Sequence, residues 1–354
     1  MFPSPPYFRD NISAMLGYVP GEQPQAGKFI KLNTNENPYP PSSAVTTAVQ
    51  NAIAGGLQKY PDPVANVFRL RAADLFEVPK DGILCGNGSD DLLTIITRAL
   101  VREGQRLRMP YPSYVLYKTL AEIQGAIADV VHFEPDWTLP VEFTDAASDP
   151  RLAVLANPNS PSGTCLPPEV VAEIAERLPC PLLVDEAYGD FADTNCLRLV
   201  EQNEKIMVSR SLSKSYAMAG LRFGFLVAQP QMIDQFMKVK DSYNCDAISI
   251  AAATAAIDDQ DWLADNQQRI RSTRQRMIPP LEKMGFSVQT SQANFVWCTH
   301  SERPVQPIYE QLKSQRILVR YMNYEGWGDG LRITVGSDEQ VDVCLDAMGR
   351  IIEP

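Results

Sequence analysis

Short apolar runs alternate with amphipathic helical patterns along residues 82–228 of the chain. Leu182, Leu183 and Val184 form one such run, and residues 152–156 form another. Strands that alternate with helices predict an α/β layer structure, because each crossover helix returns the chain to a parallel neighbouring strand. We therefore expect a large domain built on a mostly parallel sheet, with its ligand at the carboxyl ends of the strands.

The two ends of the chain have other patterns. Residues 231–241 and 247–284 are helical, and strand and helix patterns alternate again to residue 351, which predicts a smaller α+β domain. Residues 1–30 predict an extended arm with a short helix around residues 10–16, and residues 31–41, KLNTNENPYPP, predict a turn-rich loop. The domains expected are an N-terminal arm that joins the small domain (1–40), a large cofactor-binding domain (41–260) and a small C-terminal domain (261–354).

Composition narrows the class of protein. The chain has 354 residues, of which 45% are hydrophobic and 21% are charged, as in soluble globular proteins. Its net charge of -11 argues against a nucleic-acid partner. We expect no signal peptide and no membrane span, because no basic segment precedes an apolar run and no apolar stretch is long enough. Seven scattered cysteines without a Cys-x-x-Cys pair predict reduced thiols in a cytoplasmic protein with no metal site.

The stretch 208–224 contains one lysine, Lys214, among small hydroxyl residues, and Arg222 lies eight positions further on. The hydroxyls of Ser211 and Ser213 and the guanidinium fork of Arg222 suit a phosphate dianion next to an amine. This combination predicts a cofactor with both an aldehyde and a phosphate. Pyridoxal 5'-phosphate fits, bound to Lys214 as a Schiff base. The alternative for this stretch alone is an exposed Ser/Lys loop.

Residues 185–188, Asp-Glu-Ala-Tyr, follow an apolar run. An aspartate at that place, Asp185, can pair with a protonated pyridine nitrogen, and Tyr188 can hydrogen-bond the phenolic oxygen of the same ring. The alternative for Asp185 is an N-cap of the next element. For Glu186 we expect a salt-bridged structural carboxylate.

Three further segments end predicted strands. Residues 86–90, Gly-Asn-Gly-Ser-Asp, open a helix whose N-terminus can bind an anion, with Ser89 as N-cap. The alternatives are a dinucleotide fingerprint, which lacks its third glycine, and a plain helix cap. Residues 157–164 can hold an amide near a ring oxygen or form an ordinary turn. An aromatic residue within residues 111–114 can stack on a flat cofactor or pack in the core.

Together these segments resemble the class I/II aminotransferases of fold type I. The motifs occur in the order and at the spacing of that family, over nearly the whole chain. Residues 16–24, 31–41 and 317–336 resemble the histidinol-phosphate aminotransferases within it. The motifs are NENP (35–38), GNGSDD (86–91), YPSY (111–114), NPNSPSGT (157–164), DEAY (185–188), SLSKSY (211–216), AGLRFG (219–224) and LRITVG (331–336).

The resemblance implies a fold and a cofactor site. The fold is α/β, with a mostly parallel sheet of the seven-stranded type in the large domain and a smaller α+β domain. Lys214 would carry the cofactor and then move the proton between the substrate Cα and the cofactor C4′, with Asp185 and Tyr188 as the other catalytic residues. Tyr114 would stack on the ring. The cofactor-binding residues implied are Gly88, Ser89, Asp90, Tyr114, Asn159, Ser160, Asp185, Tyr188, Ser211, Ser213, Lys214, Arg222 and Tyr60.

The resemblance also implies partners. Tyr60 matches a tyrosine that reaches the cofactor phosphate of the neighbouring subunit, so a homodimer with shared sites is expected. The other partners are a small-molecule amino donor and a keto acid. The substrate-binding residues implied are Tyr18, Asn35, Arg320 and Arg332, of which Arg332 binds the acidic group of the substrate.

Two positions depart from the family pattern. The asparagine that bonds the ring oxygen in the family is replaced here by Ser160, so either Asn159 or Ser160 makes that contact. Residues 21–24 read GEQP where many members read GKP.

The reaction implied is transfer of an amino group between glutamate and imidazole-acetol phosphate in histidine biosynthesis. The rival functions are an aromatic amino-acid aminotransferase and a threonine-phosphate decarboxylase of the same fold. A cofactor-binding regulator is a further rival from another class, but it would need an added DNA-binding domain, for which the chain has neither room before residue 30 nor a basic patch.

Overall fold

The computed structural model describes residues 7–18, 21–24 and 27–352. Helices and strands alternate along the chain as expected. The first half contains α1 (Asp10–Ala14), β1 (Ile30–Leu32), α2 (Ser43–Ala54), α3 (Asn66–Phe76), β2 (Ile83–Gly86), α4 (Ser89–Leu100), β3 (Arg106–Tyr111), α5 (Leu116–Gln124), β4 (Ile127–His132), β5 (Pro150–Ala156) and α6 (Pro168–Arg177). The second half contains β6 (Leu182–Asp185), α7 (Leu199–Gln202), β7 (Ile206–Ser211), β8 (Gly224–Val227), α8 (Pro230–Met237), α9 (Ala247–Asp258), α10 (Gln260–Lys283), β9 (Phe286–Gln289), β10 (Phe295–His300), α11 (Gln306–Ser314), β11 (Ile317–Tyr324), β12 (Gly328–Thr334) and α12 (Asp338–Ile352).

The larger sheet has seven strands in the order β2-β8-β7-β6-β5-β3-β4. Neighbouring strands from β7 to β4 are parallel, and β8 runs antiparallel to both β7 and β2. The predicted α/β class with a mostly parallel seven-stranded sheet is therefore confirmed. Both faces of the sheet are covered by helices, which explains why its strands are apolar runs.

Side chains of the central strands alternate between two hydrophobic cores, because successive residues of a strand point to opposite faces. Leu182 and Val184 pack in one core with residues of α2, α3, α6 and α9. Leu183, between them, packs in the other core with residues of α4, α5 and α8. Burial on both faces fixes the register of these strands, and so it fixes the positions of the residues at their ends.

A second sheet of five strands has the order β1-β11-β12-β10-β9. Strand β1 pairs in parallel with β11, and the other pairs are antiparallel. This sheet has a core of its own, which includes Ile270, Met277 and Leu281 of α10, whereas Leu263 near the start of α10 belongs to the larger core. Helix α10 thus passes from one core to the other between Leu263 and Ile270, close to the predicted boundary at residue 260. The domain limits themselves stay a prediction.

The structure corrects three local expectations. Ser89 is the first residue of α4 rather than its N-cap, which is Gly88, and no side chain caps this helix. Residues 31–41 are not all loop, since Lys31 and Leu32 belong to β1. Helix α3 was not predicted, because its exposed residues Val67 and Leu70 are apolar and obscure the helical periodicity of its buried apolar residues.

No helix in the described ranges is long and apolar enough to cross a membrane.

Gly224, the first residue of β8, sits where three backbone segments meet. A Cβ at this position would lie 2.8 Å from the carbonyl oxygen of Arg210 and 2.9 Å from the amide nitrogen of Ser89. We expect Gly224→Ala to lower the free energy of unfolding by about 1–3 kcal/mol, because backbone atoms must shift to accept the methyl group. Denaturant unfolding measures the change. Gly220→Ala is the matched control, since a Cβ there meets open space, and equal losses in the two variants would contradict the prediction.

Candidate active site

The polar segments that follow the parallel strands meet at one edge of the large sheet. Strands β5, β6 and β7 all end there, and β8 begins there because it runs the opposite way. A cavity of about 1050 Å³ opens at this edge and extends to β11 and β12 of the second sheet. The predicted site residues that line it are Tyr18, Asn35, Ser89, Asp90, Tyr114, Ser160, Asp185, Tyr188, Ser211, Ser213, Lys214, Arg222, Arg320 and Arg332.

Lys214 lies in the loop after β7, with its amine inside the cavity. The Nζ atom donates a hydrogen bond to the carbonyl oxygen of Thr34, at 3.2 Å. Burial lowers the pKa of Lys214 to about 8, and the positive charges of Arg332 and Arg222 act in the same direction. At pH 7 about a tenth of this amine is therefore uncharged, far more than for an ordinary lysine, and the uncharged form is the one that a nucleophile or base requires.

Asp185, the last residue of β6, is a buried carboxylate. One of its oxygens accepts a hydrogen bond from the Tyr117 hydroxyl at 2.8 Å, and the other accepts from Ser209 Oγ at 3.3 Å and from the amide of Ala187 at 3.2 Å. Burial raises the pKa of Asp185 to about 6, and these donors partly oppose that rise. No lysine, arginine or histidine of the described ranges lies within ion-pair distance of it, so the carboxylate suits a cationic group of a ligand.

Tyr188 is held by the segment that carries the NENP motif. Asn35 Nδ2 donates to the Tyr188 hydroxyl at 2.8 Å, and the Tyr188 ring packs edge-on against Phe295. Asn35 is fixed in turn by Thr334 and Asn294, whose side chains bond its backbone. Burial raises the pKa of Tyr188, so its hydroxyl remains protonated and available to a ligand oxygen.

A cluster of hydrogen-bond donors surrounds the start of α4. Arg222 donates to Ser213 Oγ at 3.1 Å and contacts Asp90 at 3.4 Å. Gly88 has a φ of 79°, and a Cβ there would collide with the guanidinium of Arg222, so glycine makes room for it. With the uncapped amides of α4 and the hydroxyl of Ser211, these groups offer donors of the kind that suit a phosphate dianion.

Two arginines face each other on the opposite wall. Arg320 of β11 and Arg332 of β12 are directly opposite in the antiparallel register. Arg332 donates to Ser160 Oγ at 2.9 Å and to the carbonyl oxygen of Asn33 at 3.1 Å, while its buried Nε has no partner within residues 7–18, 21–24 and 27–352. Neither arginine has a carboxylate within 4 Å among the residues described. Because like charges opposite each other repel, this pair suits an anionic ligand.

Asn159 and Ser160 are separated by the structure. The Asn159 amide is buried, accepts from Ser113 Oγ at 2.8 Å and donates to the carbonyl oxygen of Pro112 and to Ser162 Oγ. It does not line the cavity, whereas Ser160 does. Of these two candidates, only Ser160 presents its side chain to a ligand.

Tyr114 and Tyr60 lie in different places. The Tyr114 ring forms one wall of the cavity, and its hydroxyl donates to Asp90 at 3.2 Å. Tyr60 does not line the cavity. Its side chain is 80% exposed and stacks on Tyr243, with the ring centres 4.5 Å apart.

The family model for aminotransferase class I and II matches residues 27–348. The chain belongs to this family. It is 54% identical to a histidinol-phosphate aminotransferase of Rhodopirellula baltica over 347 residues, which are 98% of this chain and 96% of that protein. It is 43% identical to histidinol-phosphate aminotransferase 1 of Trichormus variabilis, over 97% of this chain and 98% of that protein. The expected family is thus confirmed.

Solved structures agree with the fold of this aminotransferase. The histidinol-phosphate aminotransferase of Sinorhizobium meliloti in complex with pyridoxal-5'-phosphate superposes with a TM-score of 0.92 at 26% identity, over 99% of this chain and 98% of that one. A double mutant of Thermus thermophilus aspartate aminotransferase has a TM-score of 0.82 at 20% identity, over 97% and 99%, and shows the fold alone.

Sequence reasoning missed two site residues of this aminotransferase. Tyr117, the donor to Asp185, lies in α5 and is 68 positions from its partner, so no motif spacing pointed to it. Asn33, whose carbonyl oxygen accepts from Arg332, had no signal because a backbone acceptor leaves no trace in the residue type. Glu186 pairs with Arg210 at 2.8 Å, which confirms the structural role expected for it.

The lowered pKa of Lys214 gives a pH prediction for the ligand-free aminotransferase. We expect its reaction with an amine-directed reagent, followed by mass spectrometry of the Lys214 peptide, to have a midpoint near pH 8. The unfolded chain binds this proton more tightly than the folded one, so the same shift makes folding more favourable as pH rises from about 8 to about 10.4. A midpoint at the ordinary lysine value of about 10.4 would show that the amine is solvated.

Proposed function

We propose that this aminotransferase transfers the amino group of glutamate to imidazole-acetol phosphate with pyridoxal 5'-phosphate as cofactor. The products are 2-oxoglutarate and histidinol phosphate. The observation that carries the proposal is one cavity that contains a low-pKa amine, a cluster of anion-binding donors, a buried carboxylate and two arginines, the last three groups without an ion-pair partner among the described residues. The names of the relatives, histidinol-phosphate aminotransferases, support the same substrate.

The residues present fit the cofactor. Its phosphate would lie at the start of α4, held by the residues grouped around Arg222. Its ring nitrogen would pair with Asp185, whose carboxylate is bonded by two hydroxyls and an amide but by no cation of the described ranges. Its ring oxygen would accept from the Tyr188 hydroxyl. When bound, pyridoxal phosphate supplies a carbonyl carbon for amines and a ring that takes up electrons from the substrate Cα. The phosphate-binding residues proposed are Gly88, Ser89, Asp90, Ser211, Ser213 and Arg222.

Tyr114 would cover one face of the cofactor ring, and the side chain at position 160 would stand near the ring oxygen. Ser160 is the stronger candidate for the ring-oxygen contact, because the amide of Asn159 is fully used by other protein groups. Ser160 also orients the guanidinium of Arg332.

Lys214 would carry the cofactor and then act as the base. Its Nζ atom takes the proton from the substrate Cα and returns a proton to the other side of the transferred nitrogen. A pKa of about 8 suits both directions, since a base works best when its pKa is close to the ambient pH.

The arginine pair would serve both substrates in turn. Arg332 binds a carboxylate of glutamate, and Arg320 binds the phosphate ester of the second substrate, with Tyr18 at the same wall. Asn35 acts through its bond to Tyr188 as well as by lining the cavity. A buried guanidinium fork suits a planar carboxylate, because two parallel hydrogen bonds form at once.

A half-reaction tests the substrate. We expect L-histidinol phosphate, added to the cofactor-loaded enzyme without keto acid, to remove the visible absorption band of the bound cofactor rapidly, because the phosphate end of the substrate engages Arg320. L-Phenylalanine and L-tyrosine are the comparison donors. The control is Lys214→Ala, which we expect to fold but to react with none of the three donors.

Loss of the cofactor band with L-phenylalanine or L-tyrosine but not with L-histidinol phosphate would assign the protein to the aromatic aminotransferases. Release of carbon dioxide from threonine phosphate without any keto acid would assign it to the decarboxylases. Substantial turnover by Lys214→Ala would contradict the proposed mechanism itself.

We also propose that the enzyme is a homodimer in which Tyr60 reaches the neighbouring site. An apolar surface supports this assembly, since Val67 and Leu70 of α3 are more than half exposed and an apolar groove runs between α3 and α9. Exposed apolar area of this kind marks a protein interface. Tyr60 lies beside the groove and outside its own cavity, as a residue that serves another subunit must.

Mixed dimers test the shared site. We expect Tyr60→Ala and Lys214→Ala to be nearly inactive separately. After the two are unfolded and refolded together, roughly a quarter of wild-type activity returns, because half of the random dimers contain one intact site. Lack of recovery, with mixed dimers shown by mass spectrometry, would place Tyr60 in its own subunit's function.

The location is proposed to be the cytoplasm. None of the seven cysteines is in a disulfide, and six of them are buried. Reduced thiols are typical of compartments that keep proteins reduced.

A further inference from the structure

A buried ion-pair network lies behind the wall of the cavity. Arg210, near the end of β7, contacts Glu186 Oε2 with two of its nitrogens at 2.8 Å and Asp190 Oδ1 with a third at 2.5 Å. Glu186 also accepts from the amide of Cys196. None of these side chains lines the cavity. The network therefore cannot touch a ligand, and the transfer reaction described above does not use it.

The network ends next to Lys214. The Ser215 hydroxyl donates to Asp190 Oδ2 at 2.5 Å, and Ser215 is itself buried. On the other side of the same loop, Asn37 Nδ2 donates to the carbonyl oxygen of Lys214 at 2.9 Å. The backbone of Lys214 is thus held from both sides, by Asn37 through its carbonyl and by Asp190 through the next residue.

The charges in the network give this contact its strength. Arg210 lies between two carboxylates and pairs with both, and the Ser215 hydroxyl donates to the free oxygen of Asp190. A hydrogen bond to an ionised carboxylate is about twice as strong as one between neutral groups.

We propose that Asp190 is a positioning residue that fixes Lys214 through the Ser215 hydroxyl. The inference rests on the proposed function, in which Lys214 carries the cofactor and moves the proton. Asp190 lies in the short helical turn, residues 189–191, that directly follows Asp185 and Tyr188. The network therefore links the segment that carries those groups to the loop that carries the amine. Without it, that distance would depend on the loop alone, and lysine has a flexible four-carbon side chain.

Ser215→Ala is the decisive variant, because it removes the link and leaves Asp190 paired with Arg210. Thr273→Val is the matched control: it also deletes a buried hydroxyl that donates to an aspartate, here Asp338 at 2.8 Å, but between α10 and α12. In the ligand-free protein, we expect Ser215→Ala to raise the pH midpoint of Lys214 labelling by about half a unit or more, since a loosened amine becomes hydrated. Thr273→Val keeps the wild-type midpoint.

Steady-state kinetics provide the second readout. We expect Ser215→Ala to lower kcat about tenfold and to leave the KM for glutamate within about twofold, because Arg332 is outside the network. Ser215→Thr, which keeps the hydroxyl, restores both the midpoint and kcat. Equal midpoints and equal kcat in Ser215→Ala and Thr273→Val would overturn the proposal.

Asp190→Asn, examined by the same two measurements, replaces Ser215→Ala in the comparison if the alanine variant does not fold.

The wild-type protein separates this inference from the proposed function. If the wild type develops no visible band with pyridoxal phosphate, the proposed function fails, whereas a variant-specific shift of the Lys214 midpoint supports the positioning role independently of any turnover.

Discussion

Unpaired charges of both signs share one cavity, and the rest of the structure serves to keep them there. Among the residues that the structure describes, no cation lies within ion-pair distance of Asp185, and no carboxylate lies within 4 Å of Arg320 or Arg332. The pKa of Asp185, about 6 against an ordinary 3.8, corresponds to about 3 kcal/mol of folding free energy lost as pH rises through this range. A ligand with a cationic ring nitrogen and anionic ends offsets these costs, so binding stabilises the folded chain.

The large sheet provides most of the site because its parallel strands end together. Asp185 and Ser211 close adjacent strands, β6 and β7, whose register is fixed by burial on both faces. The single antiparallel strand β8 adds what parallel strands cannot. It begins at the edge where the others end, so Arg222, just before it, reaches the phosphate site from the opposite chain direction. Gly224 allows this by letting its backbone touch that of Ser89.

Much of this was predictable from the sequence. The strands are apolar runs, their ends carry polar segments, and Lys214 stands among hydroxyls, so the fold class and the side of the cavity around Lys214 followed from local patterns. The substrate side, with Arg320 and Arg332, followed only from the resemblance to the family. Helix α3 was missed because it shows apolar side chains to solvent, and a periodicity argument assumes that one face is polar. The choice between Asn159 and Ser160 was also beyond the sequence. Both are short and polar in one loop, and only the partners Ser113 and Ser162 show which of them is used internally.

Contacts between segments that lie far apart in the chain were also not predictable from the sequence. The hydroxyl of Tyr117 on Asp185 and the side chain of Asn35 on Tyr188 join residues 68 and 153 positions apart. Spacing within a motif carries no information about such pairs. The charge network around Arg210 is similar, since sequence reasoning identified Glu186 as a structural carboxylate but gave neither its partner nor the connection to Ser215.

The cross-strand pairing of Arg320 with Arg332 makes the connecting hairpin part of substrate choice. Side chains alternate along a strand, so a shift of β11 against β12 by one residue would send one guanidinium to the other face of the sheet. The tip of this hairpin is fixed by the amide of Glu325, which donates to the Tyr111 hydroxyl at 3.1 Å, and by Trp327, which packs on Trp137. Insertions or deletions in this turn, remote from any ligand, would therefore change which acids the enzyme accepts before they changed its chemistry.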